Sequence, residues 1–191
     1  MISQLYLIFL AYLIGSIPFG VILSFYFTEI DIQQEGSHNI GATNVTRLTG
    51  RKLGALTLLG DALKGMLTVL VSFSIMQSTW GISLVALAVF LGHCFSVFLL
   101  FKGGKGVAVA FGDFLALAPG AALLAMAVWL VVFFRTRRAS LGALIAAPGM
   151  ILFMVLIPPY RQYVPLAVVM VSILIWRHKE NIERLKEGLE S

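Results

Sequence analysis

Two stretches of this chain hold residue types suited to the binding of phosphate, and a third draws interest only because the topology puts it on their side of the membrane. Residues 36–47 read Gly-Ser-His-Asn-Ile-Gly-Ala-Thr-Asn-Val-Thr-Arg. Glycines let backbone N–H groups converge on an anion without a Cβ in the way. Ser37, Asn39, Thr43 and Asn44 add donors, and Arg47 offers a planar fork that matches two phosphate oxygens at once. A turn that merely reversed the chain and capped the next helix would be shorter. Residues 102–106, Lys-Gly-Gly-Lys-Gly, set Lys105 among Gly103, Gly104 and Gly106 at the start of an apolar helix. There, backbone donors and the dipole end favour an anion. The spacing is not that of a P-loop, and a positive anchor at a membrane edge accounts for Lys102 but not for the glycines. In Arg177-His-Lys-Glu-Asn-Ile-Glu-Arg184, His178 and Asn181 stand three apart and share a face in a continuing helix. On its own that tail reads as a solvated, charged helix end.

The elements that must carry these stretches are membrane helices. Of 191 residues, 59% are hydrophobic and 12% charged, with a mean hydropathy of +0.95, too little charge to cover a soluble domain. Apolar runs fall at Leu5–Phe27, Leu53–Met76, Thr79–Phe101, Ser140–Ile157 and Tyr163–Trp176. Residues 107–134 form a sixth run, interrupted by Pro119-Gly120, and read as two short, tilted or re-entrant helices of about a dozen residues each. The fold class is therefore an all-α polytopic membrane protein of about seven transmembrane segments, one integral domain over 1–191. With the N-terminus outside and the C-terminus cytoplasmic, every Lys and Arg except Arg161 and Lys64 falls on the inner face. Both phosphate-suited stretches and the tail after Trp176 then face the cytoplasm. Residues 1–46 hold no Lys or Arg, so the first run reads as a retained helix rather than a cleaved signal. The net charge of +5 is an orientation signal rather than a nucleic-acid footprint, because the basic residues are scattered at loop edges.

Other polar residues lie inside the runs. Asp61 and Lys64, three apart, read first as a structural ion pair and second as a proton relay. His93 reads as a hydrogen-bonded packing residue. Gly15-Ser-Ile-Pro-Phe-Gly20 loosens or kinks the first helix. The only aspartates, Asp31, Asp61 and Asp113, are too dispersed for the metal motif of a CDP-alcohol transferase, and no metal site is expected. No histidine has an aspartate five positions later, so the His-x4-Asp pair of soluble-type acyltransferases is missing. Cys94 rules out an intrachain disulfide and, in an apolar run, is a poor nucleophile.

Taken together, the chain resembles the bacterial membrane acyl-phosphate:glycerol-3-phosphate acyltransferases. The resemblance rests on GSHNIGATNVTR (36–47), GHCFSVFLLFKGGKGVA (92–108) and RHKENIERLKEGLE (177–190), supported by GSIPFG (15–20) and LLGDALKG (58–65). It covers nearly the whole chain in the expected order. It implies transfer of a fatty acyl group from acyl phosphate to the 1-hydroxyl of glycerol 3-phosphate, giving lysophosphatidic acid and inorganic phosphate. This is the first step of phospholipid synthesis, in the bacterial cytoplasmic (inner) membrane. Carried over residue by residue, Ser37, Asn39, Thr43, Asn44 and Arg47 match the first motif, Lys105 with Gly103, Gly104 and Gly106 the second, and His178 with Asn181 the third. The resemblance makes Lys105, His178 and Asn181 the catalytic candidates and the others binders of phosphate and substrate. Two positions depart from the family pattern: His38 stands where glycine is usual, and Ser96 where the second motif usually has proline.

An acyl phosphate is already activated, so no covalent acyl-enzyme and no cofactor are expected; alignment and charge stabilisation suffice. The proton of the attacking hydroxyl goes to His178 or to a substrate phosphate oxygen, the latter being favoured. The expected partners are acyl phosphate, glycerol 3-phosphate and membrane lipid, without nucleic acid. The competing reading is a transporter for a small phosphoester or anion, with Asp61 and Lys64 as coupling charges. Against it, the basic glycine motifs lie on one face only, whereas alternating access exposes a site to both.

Overall fold

The computed structural model describes residues 2–190. The elements in order are α1 (Ile2–Ser16), α2 (Phe19–Phe27), α3 (Ala42–Thr49), α4 (Arg51–Ile75), α5 (Thr79–Cys94), a 3-10 turn at Val97–Leu99, α6 (Val107–Leu117), α7 (Pro119–Thr136), α8 (Ala139–Leu156), a 3-10 turn at Pro158–Tyr163, α9 (Val164–Arg177) and α10 (Lys179–Lys186). Among the described residues, six stretches are long and apolar enough to cross a membrane: Gln4–Phe27, Arg51–Ile75, Thr79–Leu99, Pro119–Thr136, Ala139–Leu156 and Pro158–Arg177. The chain is an all-helical, multi-pass membrane protein, and no strand occurs among the described residues.

The run 107–134 does split at Pro119, but unequally. Helix α6 has 11 residues, about 16 Å at the α-helical rise and roughly half of a ~30 Å hydrocarbon core. Helix α7 has 18, enough to cross. The break is at Ala118, whose φ and ψ are −147° and 63°, because Pro119 has no N–H and disfavours helical geometry in the residue before it.

The chain forms two compact units, 1–113 and 114–191. In the first, α1 and α5 pack with almost no side chain between them. A Cβ on Gly15 would overlap the Val89 carbonyl, and one on Gly92 the Tyr12 carbonyl. Such small-residue contacts substitute in lipid for the hydrophobic drive that water supplies to soluble helices. Pro18 separates α1 from α2 as its sequence predicts, and the break turns the Ile17 carbonyl outward, where Lys64 Nζ donates to it at 2.7 Å. Residues 28–41 are held by their own apolar cluster: Ile32, Ile40, Val45 and Leu53 are buried together, with Val21, Leu23 and Leu48 against them.

In the second unit α8 packs against both α7 and α9. Trp129 Nε1 donates to the Ala139 carbonyl at 3.2 Å, which ties the end of α7 to the start of α8. Helix α9 ends at His178, whose N–H bonds the carbonyls of Leu174 and Ile175, and α10 starts at the next residue. The continuous helix that the spacing of His178 and Asn181 suggests is thus broken by a turn at His178 itself.

Candidate functional site

In the opening loop the structure divides the expected donors into those that shape the loop and those that face outward. Asn44, 1% exposed, is the post around which the loop is wound. Its Nδ2 donates to the carbonyls of Ile32 (3.1 Å) and Glu35 (3.2 Å), and its Oδ1 accepts the Ser37 N–H at 2.9 Å. Both amide hydrogens being spent inside the loop, Asn44 braces it rather than donating to a substrate, which corrects the expectation from sequence. Asn39 Oδ1 accepts the Gly41 N–H at 3.0 Å, a turn that delivers the chain into α3. Thr43 and Arg47, four apart on α3, are both exposed on one face of that helix. Ser37 and Asn39 are half-buried.

His38 takes a left-handed backbone with φ of 54°, a conformation glycine adopts without a Cβ penalty. Its ring lies 3.2 Å from the Gln33 carbonyl. This accounts physically for a glycine at the equivalent place in the family pattern, and ties His38 to loop structure.

The second motif does not continue the line of α5. The helix stops at Cys94 and the chain doubles back, so that the Gly104 N–H donates to the His93 carbonyl at 3.0 Å. A Cβ on Gly103 would overlap that carbonyl, and one on Gly104 would overlap His93 Nε2. These two glycines are therefore required by close approach. Gly103, Gly104 and Gly106 are buried, Lys105 is half-buried and Lys102 exposed. Ser96 has φ of −63°, the value a proline ring fixes, so this departure leaves the local backbone intact. Its hydroxyl donates to the Ser16 carbonyl at 2.6 Å. Leu100 and Phe101, both exposed, follow with positive φ of 51° and 64°.

In the second unit, His178 and Asn181 are buried, 2% and 5% exposed. His178 Nδ1 lies 2.8 Å from the Leu174 carbonyl. A carbonyl only accepts, so Nδ1 carries the hydrogen and the neutral ring keeps its lone pair on Nε2. Asn181 Nδ2 donates to Glu190 Oε1 at 2.6 Å, and Ser140 Oγ donates to the same oxygen at 2.6 Å. Arg184 Nε donates to Glu190 Oε2 at 2.8 Å. Burial pushes the Glu190 carboxyl up, but the hydrogen bonds from Ser140, Arg184 and Asn181 together outweigh it, and the group sits below the ordinary glutamate range. Glu190 was not among the expected site residues. It does close the third matching stretch, 177–190, and Gly188, with φ of 73°, turns the tail back onto α10.

Comparison with known proteins follows the same residues. The family model described as glycerol-3-phosphate acyltransferase matches residues 5–188. A glycerol-3-phosphate acyltransferase of Geobacter sulfurreducens is 45% identical over 191 residues, spanning 100% of this chain and 98% of the relative. That of Trichlorobacter lovleyi is 49% identical over 181 residues, spanning 95% and 93%. The crystal structure of PlsY (YgiH), an integral membrane glycerol 3-phosphate acyltransferase, in its glycerol 3-phosphate form, is 40% identical with a TM-score of 0.94, covering 99% of this chain and 94% of that one. Its lysophosphatidic acid form gives a TM-score of 0.92. On sequence, on fold and on length alike, the chain belongs to the glycerol-3-phosphate acyltransferase family.

Proposed function

We propose that this acyltransferase takes its acyl group from an acyl phosphate and gives it to the 1-hydroxyl of glycerol 3-phosphate, releasing lysophosphatidic acid and inorganic phosphate. The observation that carries the reading is the pair of similar solved structures, one in a glycerol 3-phosphate form and one in a lysophosphatidic acid form. Those two molecules differ by one fatty acyl group on a glycerol hydroxyl, so one is acceptor and the other product. The donor is read from the chain itself. Two phosphate-suited loops lie in one unit, the first leading into α3 with Arg47 and the second holding Lys105. Two phosphorylated substrates account for two such loops.

The glycerol hydroxyl oxygen attacks the acyl carbonyl carbon, the carbon–oxygen bond to phosphate breaks, and the hydroxyl proton passes to a phosphate oxygen. Arg47 and Lys105 bind phosphate charge and stabilise what develops on the leaving group. Gly103, Gly104 and Gly106 let the backbone approach a phosphate, while Ser37, Asn39 and Thr43 line the first loop. His178 orients a glycerol hydroxyl through the lone pair on Nε2, and Asn181 is the second orienting group. No covalent intermediate is needed, because alignment of an activated donor supplies the acceleration.

The basic residues favour a cytoplasmic active site in the bacterial inner membrane, with the N-terminus outside. The test is purified protein with palmitoyl phosphate and glycerol 3-phosphate, following phosphate and lysophosphatidic acid together. Equal release of both supports the reaction. Activity with acyl-CoA but not acyl phosphate overturns the donor, and neither product from folded protein makes an anion transporter the working reading. His178→Ala locates the proton acceptor. A fall in turnover that persists at saturating glycerol 3-phosphate, with loss of a titration near neutral pH, makes His178 the base instead of the substrate.

A further inference from the structure

The charges buried in α4 take no part in the reaction above, yet they reach the glycine loop through one side chain. Lys64 Nζ donates to the Ile17 carbonyl at 2.7 Å, meets His93 Nδ1 at 3.1 Å and forms an ion pair with Asp61 Oδ1 at 2.8 Å. An ammonium has hydrogens to give and no lone pair, so across the 3.1 Å contact Lys64 donates and His93 Nδ1 accepts. A hydrogen on Nδ1 would point into the ammonium, and Asp61 Oδ1, 3.5 Å away, is too distant for a good hydrogen bond to compensate. The neutral ring therefore bears its hydrogen on Nε2. That is the edge against which Gly104 packs, while the Gly104 N–H is fastened to the His93 carbonyl.

We propose that His93 is a positioning residue for acyl transfer: the Asp61–Lys64 pair holds it in the Nε2–H form, and its Nε2 edge and backbone carbonyl set the place of the Lys102–Gly106 loop. A structural ion pair in lipid needs only its two members. Here the cation is also given His93 as an acceptor, whose far edge supports the loop that the preceding section assigns to phosphate. The proposal rests on that assignment. It also explains why glycine occupies position 104, since any side chain there would displace either the ring or the loop. A loop shifted by an ångström misplaces a bound phosphate, and an error of that size can cost about a hundredfold in rate.

The experiment begins with turnover of the unaltered protein on palmitoyl phosphate and glycerol 3-phosphate; its absence overturns the reading of the reaction and, with it, a role for His93 in acyl transfer. With turnover in hand, His93→Gln, His93→Asn and the double variant Asp61→Asn/Lys64→Met are compared for KM of each substrate and for kcat. Glutamine carries an N–H at about the reach of Nε2, whereas asparagine stops at the reach of Nδ1. The expected result is that His93→Asn raises the KM of at least one phosphorylated substrate about tenfold or more. His93→Gln should stay close to the parent, and the double variant should follow His93→Asn. Unchanged KM values in His93→Asn, or a loss confined to kcat, overturn the positioning role. Equal impairment of the glutamine and asparagine variants overturns the part played by Nε2–H. Should His93→Asn not fold, Gly104→Ala reads the same contact from the loop side, and an unchanged KM there overturns the proposal as well.

Discussion

Replacing Glu190 by glutamine keeps the size of the side chain and removes one charge from the centre of the α8–α10 network. Three hydrogen bonds change. Ser140 and Asn181 each donate to Oε1 at 2.6 Å from buried positions. A bond to a charged acceptor contributes about 1.5–3 kcal/mol and a neutral one about 0.5–1.5, so each weakens by about 1 kcal/mol. The Arg184 pair, with an arginine side chain 35% exposed, adds less than about 1 kcal/mol because solvent screens it. The total is about 2–3 kcal/mol, and at about 2–4 °C per kcal/mol for a chain of this length the melting temperature falls by roughly 5–10 °C. The pH dependence gives a second reading. The Glu190 carboxyl lies below its ordinary value in the folded protein. Its stabilisation is therefore complete above the ordinary glutamate range and lost as pH falls through the lower, folded value. Melting in detergent from neutral pH into acid should show a steeper acid decline in the parent than in Glu190→Gln. Asn181, released from its anchor, should also cost KM for glycerol 3-phosphate. An unchanged neutral melting temperature together with the parent's acid slope would refute the argument that this carboxylate is ionised and shared by three donors.

Arg47→Ala and Lys105→Ala should each retain the fold and lose about ten- to a hundredfold in kcat/KM, the loss expected for one charge-assisted bond to phosphate; phosphate release in single-turnover and steady-state assays measures it. Asn44→Ala leaves the buried Ile32 carbonyl and its neighbours unsatisfied. It should destabilise by about 2 kcal/mol or more, with protease cutting within residues 28–41 as the early sign. Ser96→Pro should be tolerated, because φ is already −63°, at the cost of about 1 kcal/mol for the lost hydroxyl bond to Ser16. A melting temperature lower by about 2–4 °C with activity unchanged is the result to look for.

The helices were legible because their causes are local. Apolar length marks the spans, Pro18 and Pro119 mark the breaks, and basic residues mark the loop edges. Where the sequence misled, the cause was a contact between distant residues. Asn44 has the side chain of a phosphate donor, and only the path of residues 32–37 around it shows that its hydrogens are spent. His93 lies eleven residues before Gly104, and only the reversal after Cys94 brings them together. Glu190 looks like one more charge in a charged tail until Gly188 turns it back toward Asn181. The need for glycine at 103 and 104 was legible for a simpler reason, since close backbone approach is a property of glycine wherever it sits.

Asp61 and Lys64 belong to one helix and stand one turn apart, so their pairing does not wait for the tertiary structure. During synthesis α1 and α2 are made before α4, and α5 after it. A lone charge at the centre of an inserting helix costs about 2.5–3.5 kcal/mol on translocation scales. Helix α4 instead enters the bilayer with its own counter-ion, finds the Ile17 carbonyl already there, and meets His93 only when α5 brings it. The same reasoning makes isolated α4 a sensitive insertion probe: Asp61→Ala or Lys64→Ala alone should insert less well than the unaltered segment, although each removes a charge. The polar centre is thus built in the order in which the ribosome delivers its parts, and at no stage does an unescorted ion face lipid.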